Sequence, residues 1–286
     1  MAIVDFNGRH QSGRQQQQYC RGLNKPTSTE IIMKTVKQTQ VLVGNKFTNF
    51  AQNPGVTTYE QARTMLETND EQLSTTQFVL GQGICADAYQ TLLNLAEEKG
   101  MAAAFATPSF NKLNKQETHK HQKRNGMLGE PQQIEDNVYR LPIYIDDACD
   151  EMGDHVTGHH IQGMVLTESA RQAFLAITER YFLADAEKSY FVINSLDSEY
   201  LSFAFPLPLE LEYRILSFTD KGRGTLCFDV EMTLSQNGQD CARVKTKFST
   251  YPEKFLSRKE GSMAKQAVEH LQTALAEQGA VCDVAA

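Results

Sequence analysis

The chain has 286 residues, of which 41% are hydrophobic and 22% charged, a composition typical of a globular protein with one large domain or two ordinary ones. Acidic residues outnumber basic ones by 35 to 28, and the net charge of −7 argues against a general nucleic-acid binder. No apolar run is long enough for a membrane span, and the N-terminal residues lack the apolar core of a signal peptide. We therefore expect a cytoplasmic protein.

The first third of the chain predicts a small α/β segment. Residues 1–28 are rich in glutamine and poor in apolar side chains, which predicts a flexible arm. Within residues 30–110, strand-like and helix-like patterns alternate, with strands over 40–47 and 77–84, a weaker third strand over 101–107, and helices over 57–68 and 86–100. This alternation predicts parallel strands. Gly81-Gln82-Gly83, between a strand and a helix, can be a phosphate-binding turn or a tight structural turn.

Residues 111–130 form a polar, basic stretch that predicts a linker and the start of a second domain. The lysines and the arginine within 112–124 are either solvated or form a surface for an acidic carrier protein or a phosphorylated substrate.

The second half predicts one α+β domain over 131–256. A strand over 138–146 precedes a long helix over 164–183, whose broad apolar face predicts burial. Strand patterns follow over 189–203, 209–218, 224–236 and 241–251. An antiparallel sheet wrapped around one long helix is the simplest packing of these elements. A C-terminal amphipathic helix is predicted over 257–279, within a final segment 257–286.

Histidines are concentrated in one part of the chain. Five of the seven lie between positions 119 and 160, namely His119, His121, His155, His159 and His160. The last three lie on a loop that leads into the long helix, where free backbone N–H groups favour an anionic ligand. Carboxylates nearby could complete a metal site with them (Asp146, Asp147, Asp150 and Asp154), but the spacing fits no zinc pattern and we predict no metal.

Charged and polar residues interrupt the apolar helix at Glu168, Arg171 and Gln172. Their spacing of three and four residues places them on one face. One interpretation is a structural Glu–Arg pair that offsets the cost of burying both charges. The other is a carboxylate that acts as a general base or substrate anchor beside a guanidinium.

Three segments together resemble a known family. Residues 163–172, G-M-V-L-T-E-S-A-R-Q, resemble the E-(T/S/A)-x-R-Q helix of the A-factor biosynthesis (AfsA-like) hotdog proteins. His119-Lys120 followed by Asn125 resembles the H-K-x4-N that opens the same repeat, and FVINSLDSEY resembles its first strand after the helix. The resemblance covers about 118–252. More distantly, the residues from His155 to Glu168 are similar to the His-to-Glu motif of acyl-carrier-protein dehydratases, with a loop one residue shorter.

The resemblance implies a hotdog fold that handles acyl thioesters without a cofactor. AfsA-like enzymes join a β-ketoacyl group from acyl carrier protein to dihydroxyacetone phosphate, on the way to γ-butyrolactone signals. The AfsA resemblance implies that Glu168 is a base or holds a substrate hydroxyl and that Arg171 binds phosphate or stabilises an enolate oxygen. The dehydratase resemblance implies that His155 and Glu168 take part in acid–base catalysis. The remaining predicted site residues would bind substrate: Gln172, Gly163, His119, Lys120 and His160.

Better-known members of this family carry two hotdog repeats, whereas this chain has one E-x-x-R-Q motif, which predicts a homodimer. Three functions stay open. The first is an acyltransferase that uses acyl carrier protein or acyl-CoA and a small hydroxylated or phosphorylated acceptor, in signalling-lipid or secondary-metabolite biosynthesis. The second is a non-catalytic acyl-binding or docking module, and the third is a dehydratase or thioesterase of the same fold.

Overall fold

The computed structural model describes residues 37–106, 112–153, 158–183 and 189–283, with side chains as far as residue 277. The predicted flexible arm over 1–28 lies outside these residues.

The α/β segment contains a parallel sheet of three strands in the order β2 (Val56–Thr58), β1 (Gln38–Val43), β3 (Thr76–Leu80). Helix α1 (Tyr59–Glu67) begins after Thr58, whose hydroxyl accepts a hydrogen bond from the Gln61 N–H while the Gln61 side chain accepts one from the Thr58 N–H. Helix α2 (Ala86–Glu98) follows β3. The predicted alternation of parallel strands and helices is confirmed.

The strand predicted over 101–107 is wrong. Ala102–Ala104 form a short 3-10 helix, and Phe105 makes one isolated bridge to Phe78. Three successive alanines have low strand propensity and no branched side chain to pack on a sheet, which explains the difference. The third strand is instead β2, three residues long and directly before α1.

The second half forms one antiparallel sheet of six strands in the order β4-β5-β7-β8-β9-β6. Helix α3 (Asp150–Gly153) and the long helix α4 (Gly163–Phe182) lie between β5 and β6 in the chain. The strands are β4 (Gln132–Glu135), β5 (Val138–Ile143), β6 (Ser189–Tyr200), β7 (Leu209–Asp220), β8 (Leu226–Gln236) and β9 (Gln239–Pro252). This is the predicted hotdog arrangement of a sheet around one helix.

Helix α4 is the centre of the larger core. Ala170, Phe174 and Ile177 are buried against the inner face of the sheet. Met164 and Tyr181, also hydrophobic residues of α4, are 67% and 40% exposed. They lie in the first and last turns of the helix, so the burial of α4 is confirmed for its middle turns only.

A buried glutamine joins the α/β segment to the hotdog sheet. Gln82 donates hydrogen bonds to the carbonyls of Ile143 and Leu207 and accepts one from the Ile145 N–H at 2.7 Å. A Cβ atom at Gly81 would lie 2.3 Å from the Pro206 carbonyl oxygen. The Gly-Gln-Gly turn therefore has a packing role between the two sheets.

The C-terminal helix α5 (Glu253–Asp283) starts directly after β9, four residues before the predicted start. Nearly all of its described side chains are exposed. Among the described residues, no helix is both long enough and apolar enough to cross a membrane.

Candidate active site

Glu168 is the centre of a network of charges on α4. The Nε and Nη2 atoms of Arg171 donate to the two oxygens of its carboxylate at 2.7 and 2.8 Å. The ammonium of Lys120 lies 2.7 Å from Oε1 of Glu168 and donates to Oε1 of Glu151 at 2.5 Å. Acidic and basic groups therefore alternate along the line Glu151, Lys120, Glu168 and Arg171. The side chains of Lys120 and Glu168 are 15% and 16% exposed, so water screens their contact little.

Gln172 fixes the loop that carries Lys120 to the helix. Its amide nitrogen donates to the Asn125 carbonyl at 2.9 Å and to Glu168 at 3.0 Å, and its amide oxygen accepts from the Met127 N–H at 2.9 Å. Gln172 is fully buried. Gln172 on α4 is thus joined by hydrogen bonds to the backbone of residues 125 and 127. Because Gln172 is buried, loss of these bonds would leave the backbone groups without a partner.

Asn125 continues this connection to α3. Its side chain donates to Asp150 at 2.8 Å and accepts from the Asp150 N–H at 2.9 Å. Glu151 is the next residue, so the paired amide and carboxylate place it beside Lys120. No sequence pattern predicts a role for Glu151, because a helix of four residues has no apolar period. The only available signal was the acidic composition of its loop.

Hydrogen bonds keep the network charged. Burial alone would raise the pKa of Glu168, but the hydrogen bonds from Arg171, Lys120 and Gln172 outweigh it and hold this pKa below its ordinary value. Burial would lower the pKa of Lys120, yet its contacts with Glu151 and Glu168 raise it. The hydrogen bond to Glu168 raises the pKa of Arg171. At neutral pH the carboxylate of Glu168 is therefore ionised and paired with two cations.

A cavity of about 760 Å³ adjoins this network. Its charged and polar wall includes His119, Lys120 and Arg171, and its apolar wall comes from Phe174 and Phe191 among others. The further lining residues are Lys115, Gln116, His121, Leu175, Glu179, Ser189, Tyr190, Ile193 and Glu253. The cavity thus combines apolar side chains with cationic ones from Lys115, Lys120 and Arg171 and anionic ones from Glu179 and Glu253.

His119 lies on the wall of the same cavity. Its Nε2 atom is 2.7 Å from Oε1 of Glu179, and its ring meets that of Phe191 edge-on at 5.6 Å. The basic stretch that begins at residue 112 is therefore more than a solvated linker, since Lys120 is mostly buried and Leu113 and Thr118 are buried.

Two predicted substrate-binding residues lie elsewhere. His160 and Gly163 line a second cavity of about 420 Å³ at the N-terminal end of α4, with Met164, Tyr200 and Phe203. A Cβ atom at Gly163 would lie 2.6 Å from the Tyr200 ring, so only glycine lets the two approach without a shift. The predicted site residues therefore lie in two places: Lys120 and Arg171 line the larger cavity, whereas His160 and Gly163 line the smaller one. The spacing of residues in the sequence does not determine the path of the loop before α4.

The remaining histidines do not complete the site. His155, predicted as catalytic, lies outside the described residues. His121 lines the larger cavity, and His159 is exposed. Within the described ranges there is no group of three histidine, cysteine, aspartate or glutamate side chains placed to hold a metal ion.

Comparison with known proteins decides the family. Residues 101–252, more than half of the chain, match the family model of the A-factor biosynthesis hotdog domain. The chain belongs to this family. The match begins before the 118–252 range suggested by the motifs, so the A-factor hotdog domain includes the segment that follows α2. A search of curated proteins finds no significant match.

Solved hotdog structures resemble limited parts of this A-factor hotdog chain. A mutant thioesterase from Pseudomonas aeruginosa is 16% identical, with 44% of this chain and 81% of that chain covered and a TM-score of 0.32. A phenylacetic acid degradation-related protein from Ralstonia eutropha is 16% identical over 42% and 83% of the two chains, with a TM-score of 0.31. A mutant thioesterase from Staphylococcus aureus is 12% identical over 43% and 93%, with a TM-score of 0.31.

Proposed function

We propose that this A-factor hotdog protein is an acyl-thioester enzyme that transfers an acyl group, such as a β-ketoacyl group, to a small hydroxylated or phosphorylated acceptor. The thioester would be presented by acyl carrier protein or coenzyme A. The observation that carries the proposal is the position of Arg171 on the wall of the 760 Å³ cavity, held by Glu168 and adjacent to an apolar wall. An acyl chain fits the apolar wall, and a phosphate or developing oxyanion fits the guanidinium.

The geometry favours different roles for Glu168 and Arg171. Every oxygen of the Glu168 carboxylate already accepts a hydrogen bond from Arg171, Lys120 or Gln172. A carboxylate so paired binds a proton weakly, so it is better suited to fix the two cations than to act as a base. Among the described residues, Arg171 makes hydrogen bonds to Glu168 alone, through Nε and Nη2, which leaves Nη1 for a substrate oxygen.

The same ion pair also supports the rival proposal of a non-catalytic acyl-binding module, in which Glu168 and Arg171 only stabilise the helix. The two proposals differ in one measurable respect. In the module, Arg171 variants change stability without changing any product, whereas in the enzyme they change turnover as well.

A homodimer belongs to the proposal. Strand β6 lies at the edge of the sheet and exposes the apolar residues Ile193, Leu196 and Tyr200 at 44%, 38% and 50%. Phe203, just after this strand, is 67% exposed beside the second cavity. An exposed edge strand with such side chains supports pairing with a second copy. Measurement of the mass in solution by light scattering tests this part.

The central experiment measures thioester consumption and product together. The protein is incubated with β-ketoacyl groups of several lengths on acyl carrier protein, with dihydroxyacetone phosphate or glycerol as acceptor, and ester product is detected by mass spectrometry. We expect acceptor-dependent thiol release by the wild type and a loss of about 100-fold or more in Arg171→Gln. Arg140→Gln is the matched control, because Arg140 forms ion pairs with Glu210 and Glu212 on the sheet and lines neither of the two cavities described above. Normal ester formation by Arg171→Gln would contradict the proposal.

A further inference from the structure

The backbone at His119 has an unusual conformation. Its φ is +53°, in the left-handed region that L residues with a Cβ rarely adopt. Five non-glycine residues of the described chain share a positive φ, and three of them are asparagines, which tolerate it best. Arg223 and His119 both lie in turns, but only the turn of His119 forms part of the wall of the 760 Å³ cavity. Strained residues of this kind concentrate at functional sites, where surrounding contacts hold them.

Two contacts hold the His119 side chain in place, and one hydrogen bond holds its backbone. Glu179, on α4, binds Nε2 at 2.7 Å, and Phe191, on β6, packs its ring edge against the imidazole. Both of these residues line the same cavity as His119 and Arg171. The backbone N–H of His119 donates to the Gln116 carbonyl, which closes the turn that carries it.

We propose that His119 is the general base of the acyl transfer, oriented by Glu179 as a positioning residue. The inference rests on the proposed function. A carboxylate that accepts from Nε2–H fixes the tautomer in which Nδ1 is the basic nitrogen. No described residue forms a hydrogen bond with Nδ1, so it is the nitrogen available to a substrate hydroxyl.

The step balances without any added co-reactant. Nδ1 removes the proton of the acceptor hydroxyl as its oxygen forms a bond to the thioester carbonyl carbon. The tetrahedral oxyanion then re-forms the carbonyl and the carbon–sulfur bond breaks. The leaving thiolate takes the proton from the imidazolium, so that one thioester and one alcohol give one ester and one thiol. Arg171 lies on the same cavity wall to stabilise the oxyanion.

Several charged groups face the same cavity and bear on its pH dependence. Lys115, Lys120 and Arg171 are cationic, Glu179 and Glu253 are anionic, and the imidazole of His121 and the phenol of Tyr190 line the cavity as well. His121 is a second imidazole on the wall of the same cavity. A test must therefore separate it from His119.

The test uses the full-length protein and two variants of the dyad. His119→Asn removes the base but keeps a residue that accepts positive φ, so the turn is preserved. We expect it to lower kcat by about 100-fold or more, with a small change in KM, and to remove the acid limb of the kcat/KM profile. Glu179→Gln should lower kcat by about 10-fold and shift that limb. His270→Asn, on the exposed face of α5, is the matched control and should change neither.

The results distinguish failure of the proposed acyl transfer from failure of the role assigned to His119. If the wild type consumes no thioester with any acceptor, the proposed function fails and this inference fails with it. If the wild type is active and His119→Asn retains its kcat and its acid limb, only the inference is overturned, and loss of the limb in His121→Asn would assign it to that neighbour. Nitrogen-15 NMR of labelled histidine gives a readout independent of activity. It should find neutral His119 protonated at Nε2, and protonation at Nδ1 would overturn the proposal.

Discussion

The ammonium of Lys120 lies 2.7 Å from the carboxylate of Glu168, so the loop before β4 and the central helix share one ion pair. Arg171 donates hydrogen bonds to both oxygens of the same carboxylate. Removing the negative charge would leave two mostly buried cations with less compensation, since Lys120 alone retains Glu151.

Glu168→Gln is therefore expected to lower the free energy of unfolding by about 3 kcal/mol. Urea denaturation followed by circular dichroism measures the change. Glu67→Gln is a suitable control, because Glu67 forms a solvent-exposed pair with Arg63 one helical turn away, and loss of that pair should change stability little. Equal effects of the two substitutions would show that the Glu168 network contributes no more than a surface pair.

The same carboxylate predicts a dependence of stability on pH. The folded-state pKa of Glu168 lies below its ordinary value of 4.5, so between the two pKa values the unfolded chain binds more protons than the folded one. The stabilisation is complete above pH 4.5 and is lost as the pH falls through the lower, folded-state pKa. The difference in urea midpoint between wild type and Glu168→Gln should therefore be constant from pH 7 to about 6 and shrink below about pH 4.5. A difference that grows with acidification would contradict this sign.

Much of this fold is predictable because its elements have a regular apolar period. In β8, buried and half-buried residues alternate along the whole strand, and α4 has an apolar face over its middle turns. Strand β4 has no such signal, since all four of its residues are exposed. The proximity of Lys120, Glu168 and Gln172 was implied by family resemblance, because no periodicity links residues so far apart in sequence. The contribution of Glu151 and the Glu179 contact of His119 depend on tertiary packing alone.

Gln172 provides a test of how the loop is fixed to the helix. Gln172→Leu keeps the side-chain volume but leaves the Met127 N–H and the Asn125 carbonyl without their partner. We expect a loss of about 3 kcal/mol in the free energy of unfolding, because each unsatisfied buried group costs about 1–3 kcal/mol. Hydrogen exchange of the Met127 amide should also become faster relative to the Val244 amide in the sheet. Unchanged protection at Met127 would mean that another acceptor replaces the glutamine.

Gly163 and Tyr200 give a prediction for the second cavity. In Gly163→Ala the new Cβ would lie 2.6 Å from the Tyr200 ring, so the ring must move and its hydroxyl would lose the 2.9 Å hydrogen bond with Thr167. We expect a destabilisation of about 1 kcal/mol, measured by thermal and urea unfolding. In a Tyr200→Ala background the clash is absent, and alanine should then be neutral or stabilising because it favours the first turn of a helix more than glycine does. A Gly163→Ala effect of the same size in both backgrounds would place the cause in the helix backbone instead of the Tyr200 ring.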